Sequence, residues 1–270
     1  MILWIIAKRI PLILFTFLLV SCTRIERFDF QETDLKYFEF VHENPSCEIY
    51  CDIEYIVVSN GMTLTKTKDF VGREIIIGKI DPVDAEKLVR QTETQLGDLS
   101  NGGIDCRDCN INHIFYGDKS KTQAFTTYVD EAPEFIQNIH TDTERVLQSQ
   151  QIPDQFFMNL VFKKNNEFAK DYHFFPDGTV LIEEFGELNG NLISSEIVKI
   201  DKSDMDTIRL SIEDGFFTSE DDSDTCWKKK LDYGYIQVLD KDKHNFVFIC
   251  GIGDSSADRL FNKLVSKVGG

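Results

Sequence analysis

The stretch Ile56–Leu64 reads IVVSNGMTL, and the stretch Phe174–Ile182 reads FFPDGTVLI. In each, a dipeptide ending in glycine, Asn60-Gly61 or Asp177-Gly178, separates two apolar runs. Asn-Gly and Asp-Gly between such runs are the strongest short-range signals for a β-hairpin turn. Each stretch therefore predicts a hairpin. Because the two stretches lie in different halves of the chain, they indicate that one folding unit occurs twice.

Further matches between the two halves follow in the same order along the chain. They are Lys79-Ile80-Asp81 with Lys199-Ile200-Asp201, Cys106 with Cys226, Ile114 with Ile236, and Asp118-Lys119 with Asp240-Lys241. A shared order of matches at a nearly constant spacing is the signature of an internal repeat. We therefore predict two tandem repeats, over residues 35–148 and 154–270, joined by a linker at Gln148–Pro153.

Each repeat is predicted to be an α+β unit in which a twisted antiparallel sheet has two helices packed on it. Strands and the hairpin come first, and a helix, two further strands and a last helix follow. Asp81 can cap the first helix of the first repeat, with Pro82 at its first position, and Asp201 is the matching cap in the second repeat. Asp254 or Ser255 is expected to cap the last helix.

The N-terminus has the layout of a secretory signal peptide. A basic pair, Lys8-Arg9, precedes the apolar run Ile10–Val20, and the sequence Leu19-Val20-Ser21-Cys22 ends it. This order of a basic region, an apolar region and a small residue is typical of exported proteins. Its ending resembles the signal of a bacterial lipoprotein. We therefore expect residues 1–21 to be removed and Cys22 to become the lipidated N-terminus.

The lipidated cysteine would attach the protein to a membrane through a tether at residues 22–34. Two or more acyl chains, such as palmitate, give stable anchoring. Thr23 rather than aspartate follows the cysteine, and by resemblance to Gram-negative sorting this favours the outer membrane over the inner one. The alternatives are a Gram-positive surface, an uncleaved transmembrane anchor or a core helix. The anchor is disfavoured because Lys8-Arg9 leaves about eleven uninterrupted apolar residues, fewer than the roughly 20 that a span needs.

The charge of the chain excludes one class of partner. It has 46 acidic and 29 basic residues, a formal net charge of −17. Proteins that bind nucleic acids neutralise phosphates with lysine and arginine, so we expect no nucleic-acid partner. The acyl chains, not a polybasic patch, would hold this protein to the membrane. Its other partner is expected to be an envelope protein or a glycan.

The six cysteines after Cys22 are disulfide candidates: Cys47, Cys51, Cys106, Cys109, Cys226 and Cys250. An even number in an exported chain favours disulfide bonds. The preferred pairs are Cys47–Cys51, Cys106–Cys109 and Cys226–Cys250. The first pair requires a turn, because residues four apart in a strand are about 13 Å apart. Pairing of Cys47 or Cys51 with Cys106 or Cys109 is a competing connectivity, and a zinc site with four thiolates is another alternative.

No catalytic residue, resident metal site or cofactor is predicted. The acidic run Glu220–Asp224 offers oxygen ligands for calcium, but it lacks the glycine and distal glutamate of an EF-hand loop. Ser255 is the best candidate nucleophile for an unrecognised hydrolase. It does not lie in the Gly-x-Ser-x-Gly elbow of serine hydrolases, and a helix cap explains it equally well.

The segment Cys47-x-x-x-Cys51, then Tyr55, then Asn60-Gly61, resembles a motif of uncharacterised bacterial cell-envelope lipoproteins, a family with a domain of unknown function. Their pattern is Cys-x-x-x-Cys-Pro-x-Tyr followed by an Asp-Gly hairpin, and here Asp52 stands where the proline would be. The resemblance implies a fold and a location in the cell envelope. It implies no catalytic activity, because the function of the family's domain is unknown. We therefore expect a membrane-anchored, non-catalytic binding or structural module, with a metal-binding (Zn or Ca) envelope protein or a hydrolase as alternatives.

Overall fold

The computed structural model describes residues 27–43, 52–68, 73–97, 110–151, 156–164, 168–186, 192–219, 233–249 and 255–268. Within these residues the chain forms two antiparallel sheets and four α-helices. The predicted α+β class is therefore confirmed.

The first sheet and its two helices occupy the first half of the chain, after a short strand β1 (Gln31–Glu32). The elements are β2 (Tyr37–Glu43), β3 (Asp52–Val58), β4 (Met62–Lys68), β5 (Arg73–Lys79), α1 (Pro82–Leu96), β6 (Ile111–Gly117), β7 (Thr122–Tyr128) and α2 (Glu134–Leu147). A 3-10 turn, Val129–Glu131, precedes α2. The strand order across this six-stranded sheet is β5-β4-β3-β2-β6-β7.

The second sheet and its helices occupy the second half. The elements are β8 (Phe156–Lys164), β9 (Phe168–Phe174), β10 (Thr179–Gly186), β11 (Leu192–Lys199), α3 (Lys202–Ser211), a 3-10 helix (Asp214–Thr218), β12 (Tyr233–Asp240), β13 (Lys243–Ile249) and α4 (Ser256–Val268). The strand order is β1-β11-β10-β9-β8-β12-β13. Apart from β1, the strands thus follow the same order as in the first sheet.

Both predicted hairpin turns are confirmed. Gly61 and Gly178 have φ angles of 93° and 82°, a region that glycine enters without steric cost. The two turns also contact each other, because the Asn60 amide donates a hydrogen bond of 3.1 Å to the Asp177 carboxylate. The turns that identify the two halves therefore meet in the folded protein.

Helices α1 and α3 both begin where the sequence predicts, but only α1 has the predicted side-chain cap at its N-terminus. The Asp81 carboxylate accepts a hydrogen bond of 2.8 Å from the backbone N–H of Val83. The Asp201 carboxylate makes no such bond to α3 and instead accepts one of 3.2 Å from the amide of Gln31. The prediction of a side-chain cap at Asp201 was therefore wrong, because β1 brings Gln31 beside that carboxylate.

The protein has four layers: α1 and α2, the first sheet, the second sheet, and α3 and α4. Three apolar clusters fill the spaces between these layers. Residues of both sheets form the middle cluster: Tyr37, Ile56, Val58, Met62, Leu64, Ile75, Ile77, Phe157, Phe175, Leu181, Ile197 and Leu239. Each sheet is therefore covered on both faces, by helices on one side and by the other sheet on the other side.

The N-terminal segment is part of this folded body from Phe28 onward. Phe28 is buried in the apolar cluster between the second sheet and its helices, and its N–H donates a hydrogen bond of 3.1 Å to the carbonyl of Lys267. Strand β1 pairs with β11 at the edge of the second sheet. The tether expected over residues 22–34 therefore does not extend over Phe28–Glu32, which packs against the second half of the chain.

The described part of the expected linker, residues 148–151, lies along the first sheet. The N–H of Lys79 donates a hydrogen bond of 2.7 Å to the carbonyl of Gln151, and the hydroxyl of Thr63 donates one of 3.1 Å to the side chain of Gln150. This part of the connection is therefore held against β4 and β5.

Candidate functional site

A group of charged side chains interrupts the apolar interface between the two sheets. We call it the inter-sheet charged cluster, and its members are Glu39, Glu54 and Lys66 of the first sheet and Asp171, His173 and Glu183 of the second. Side chains alternate between the faces of a strand. Because Phe38 and Phe40 of β2 pack toward the helices, Glu39 faces the other sheet.

Glu183 is the centre of this cluster and is only 1% exposed. The Tyr37 hydroxyl donates a hydrogen bond of 2.8 Å to its Oε1, and His173 Nε2 lies 3.3 Å from its Oε2. Burial by itself would raise the pKa of the Glu183 carboxyl, but the proximity of His173 and the hydrogen bond from Tyr37 outweigh it and lower that pKa. Glu183 is therefore the ionised carboxylate of the cluster.

Glu39 is the neutral partner of Glu183. It is 6% exposed, and burial together with the nearby charges of Glu183 and Glu54 raises its pKa well above the usual range. Glu39 also shares a side-chain hydrogen bond with Glu183. Two adjacent carboxylates in a medium of low dielectric constant cannot both ionise cheaply. The raised pKa of Glu39 therefore favours its protonated form beside the carboxylate of Glu183.

His173 links the cluster to the rest of the second sheet. The side-chain amide of Asn159 lies beside the ring, with Nδ2 3.3 Å from His173 Nδ1. Nε2 lies 3.3 Å from Asp171 Oδ1 and 3.3 Å from Glu183 Oε2. His173 Nε2 thus lies between carboxyl groups of two neighbouring strands, β9 and β10.

The remaining ion pair lies nearer to solvent. Lys66 Nζ is 2.6 Å from Glu54 Oε1, with side chains 18% and 21% exposed, and the two residues are paired across β3 and β4. Burial acts to lower the pKa of Lys66, but the charges of Glu54 and Asp171 outweigh it and raise that pKa. Burial raises the pKa of Asp171, although His173 and Lys66 act against it.

The composition of the cluster determines what it can do. It has four carboxyl groups but only one lysine and one histidine, so the proton on Glu39 reduces its excess of negative charge. Among the residues that the structure describes, no three His, Cys, Asp or Glu side chains converge as metal ligands. The cluster lies between the two sheets, and the Tyr37–Glu183 hydrogen bond joins them there.

The sequence analysis missed this cluster, although one signal was present. Glu39 lies between Phe38 and Phe40 in a strand whose other side chains are mostly apolar. Alternation alone places such a glutamate on an exposed face. Only the second sheet, which covers that face, makes Glu39 a buried residue.

A second group of ionisable side chains lies between the first sheet and α2. The ring of His140 stacks on Phe40 and Tyr55, with centroids 5.1 Å and 5.8 Å apart, and the Tyr55 hydroxyl donates a hydrogen bond of 3.2 Å to Glu144. Burial lowers the pKa of His140 and raises that of Tyr55. The group favours a neutral histidine and a neutral tyrosine at neutral pH, and it fastens α2 to the sheet.

Ser255 serves as the cap of α4, one of the two residues predicted for that position. Its hydroxyl accepts a hydrogen bond of 3.1 Å from the N–H of Asp258, and the Asp258 carboxylate accepts one of 3.2 Å from the N–H of Ser255. This reciprocal pair is a capping box. The hydroxyl also donates to Asp258 at 2.6 Å, and no histidine partner of Ser255 is found among the described residues.

The other candidate residues of the sequence analysis lie outside the described residues. They are Cys22, Cys47, Cys51, Cys106, Cys109, Cys226, Cys250, Asp254 and the acidic run Glu220–Asp224. Lipidation, the disulfide pairings and the zinc and calcium alternatives therefore stay predictions. Over the described part of the chain, no helix combines the length and the apolar character that a membrane span requires.

The chain matches no protein-family model, no curated protein and no solved structure. The resemblance to envelope lipoproteins therefore depends on the quoted motif alone.

Proposed function

We propose that the protein is a bacterial lipoprotein, anchored in the cell envelope through acyl chains on Cys22, whose folded body is a non-catalytic binding or structural module. The observation that carries this proposal is the N-terminal sequence, in which Lys8-Arg9, the apolar run Ile10–Val20 and Ser21 precede Cys22. The position of Phe28 supports it, because a packed body begins only a few residues after the cysteine that would carry the lipid.

Metabolic labelling tests the anchor. The full chain is expressed in a bacterium grown with labelled palmitate, beside Cys22→Ala and Ser21→Ala. Cys22→Ala removes the acceptor thiol, whereas Ser21→Ala keeps a small residue before it. We expect label in the wild type and in Ser21→Ala but not in Cys22→Ala. An unlabelled wild type, or equal label in Cys22→Ala, would contradict the proposal.

Two contacts support the non-catalytic part of the proposal. The Ser255 hydroxyl caps α4, and the ionisable groups of the inter-sheet charged cluster contact one another between the two sheets, where Glu39, His173 and Glu183 are buried. A serine-directed activity probe should therefore label wild type and Ser255→Ala to the same low level. Purified protein should contain less than about 0.1 equivalent of zinc or calcium, since a resident structural site binds tightly.

We further propose that the body is a tandem duplication. The support is the common strand order of the two sheets and the contact between their hairpin turns. The inter-sheet charged cluster agrees with it. Glu54 faces Lys66 across β3 and β4, and Asp171 faces Glu183 across β9 and β10. Matching strand pairs of both halves therefore supply matching pairs of polar side chains to the interface.

The disulfide bonds remain part of the proposal. Glu43 of β2 is paired with Asp52 on one side and with Ile111 on the other. The described residues Glu43, Asp52 and Ile111, which lie next to or near the ends of the two cysteine-containing segments 44–51 and 98–109, are therefore at neighbouring strand ends. This supports pairing between the segments as well as within each of them. The proposed partner of this disulfide-bonded folded domain is an envelope protein or a glycan.

A further inference from the structure

We propose that the C-terminal end of α4, with the basic side chains of Arg27, Lys263 and Lys267, lies against the bilayer that holds the acyl chains. The inference rests on the proposed lipidation of Cys22 and adds the orientation of the folded body. The occupant of this surface is a lipid bilayer with anionic headgroups.

The point at which the chain enters the body is fixed at this end of α4. Phe28 is buried, its N–H donates a hydrogen bond of 3.1 Å to the carbonyl of Lys267, and the Lys267 ammonium lies 5.2 Å from the centre of its ring. Arg27, the residue before it, is exposed. The lipid anchor therefore leads directly to the last turn of α4.

The tether is too short to let this end move far from the membrane. Only Thr23–Arg27 separates Cys22 from Phe28. An extended chain spans at most about 3.6 Å per residue, so Phe28 stays within roughly 20 Å of the lipidated cysteine. A helix with its side chains is about 10 Å across. The tether therefore spans at most about two helix diameters, which keeps the end of α4 near the bilayer.

Among the surfaces that the short tether could bring to the bilayer, the basic side chains at the end of α4 favour this one. Lys263 and Lys267 are one helical turn apart and so lie on the same side of α4. Lys263 is exposed, and its ammonium donates a hydrogen bond of 2.6 Å to the hydroxyl of Ser211 at the end of α3. The chain as a whole carries a net charge of −17. An anionic bilayer attracts this basic end and repels the acidic remainder, over the Debye length of about 8 Å.

The layer of α1 and α2 gives an internal control. It packs on the outer face of the first sheet, and two sheets separate it from α3 and α4. Lys87 of α1 is exposed there. Lysines of the same chemistry are thus available on the surface that should face the bilayer and on the surface that should face away from it.

Lysine footprinting tests the orientation. The lipidated full-length mature protein is placed in vesicles of phosphatidylethanolamine and phosphatidylglycerol and treated briefly with an acetylating reagent. Peptide mass spectrometry then gives the acetylation of each lysine. The reference is the same mature chain without acyl chains, made with a cleavable secretory signal, in solution. The same spectra report whether the peptide with Cys22 carries lipid.

We expect acetylation of Lys263 and Lys267 to fall several-fold in vesicles relative to the soluble reference, while that of Lys87 stays unchanged. If Cys22 carries lipid but all three lysines react as in solution, the orientation is wrong and the anchor stands. If Lys87 is protected instead, the opposite layer faces the bilayer. If the Cys22 peptide carries no lipid, the proposed anchor fails and the orientation fails with it.

Discussion

The hydroxyl of Tyr37 donates a hydrogen bond of 2.8 Å to the carboxylate of Glu183, and this bond joins the first sheet to the second. Both side chains are almost completely buried. A hydrogen bond to a charged group contributes about 1.5–3 kcal/mol, and a buried charge that loses its donor costs a similar amount. The bond therefore has a measurable share in holding the two halves of the chain together.

Tyr37→Phe should lower the free energy of unfolding by about 1–3 kcal/mol, because Glu183 loses one of its donors while the ring still fills its place. Urea unfolding followed by circular dichroism measures the change. Tyr128→Phe, which removes a phenol hydroxyl from the edge strand β7, is the control and should have a smaller effect. Equal losses in the two variants would show that the Tyr37–Glu183 bond has no special share in stability.

Glu39→Gln should change how stability depends on pH. Burial raises the pKa of Glu39 in the folded state, so between its unfolded and folded pKa values the folded protein holds a proton that the unfolded chain has released. Stability therefore falls as pH rises through this window. The glutamine amide stays neutral at every pH in this range, so the variant should gain stability relative to wild type as pH rises.

The measurement is the free energy of unfolding in urea at several values between pH 5 and pH 8. Glu131→Gln, which changes an exposed carboxyl group of the same type, serves as the control. Its profile should run parallel to that of the wild type. If the Glu39→Gln profile were parallel as well, Glu39 would not hold the proton assigned to it.

Alanine at the two hairpin glycines should be destabilising. An added Cβ at Gly61 would lie 2.4 Å from the carbonyl oxygen of Ile80, and one at Gly178 would lie 2.7 Å from that of Ile200. Both glycines also have positive φ angles. We expect each substitution to cost more than about 1 kcal/mol in thermal or urea unfolding.

Gly97→Ala is the matched control for these two variants. Gly97 has a helical φ of −58° at the end of α1, and an added Cβ would come no nearer than 3.4 Å to its neighbours. Alanine there should be neutral or should stabilise by about 0.4–1 kcal/mol, because it restricts the unfolded chain. A loss at Gly97 as large as that at Gly61 would argue against the turn geometry as the cause.

Asp81→Ala and Asp201→Ala form a pair that separates a capping carboxylate from one that does not cap. Asp81 accepts a hydrogen bond from the first turn of α1, whereas Asp201 accepts one from Gln31. Loss of a cap costs about 0.5–2 kcal/mol. Thermal unfolding should therefore show a clearly larger loss for Asp81→Ala. A larger loss for Asp201→Ala would reverse the assignment.

Local signals in the sequence predicted the elements of the fold well. Three such features depend on residues close in the chain: the glycines of the hairpins, the cap at Asp81 and the two strands that follow the first helix, β6 and β7. Such features follow from turn geometry, capping and alternation, which a sequence displays directly. The two helices of each half were predicted in the same way.

Contacts between distant residues could not be predicted in this way. In β3, Tyr55, Ile56, Val57 and Val58 are all buried, and a run of that kind shows that both faces are covered but not by what. The second sheet covers Glu39, and the sequence offers no sign of that contact. For the same reason, Phe28 was predicted to lie in a tether, because its packing partners are at the other end of the chain.

The most direct test of the proposed lipid anchor is the intact mass of the protein extracted from the cell envelope. The mass is measured with and without reduction and thiol alkylation. We predict a chain that begins at Cys22, carries acyl chains on that residue and has its remaining cysteines in disulfide bonds. An extracted chain that still contains residues 1–21, or one that begins at Cys22 without lipid, would contradict this prediction.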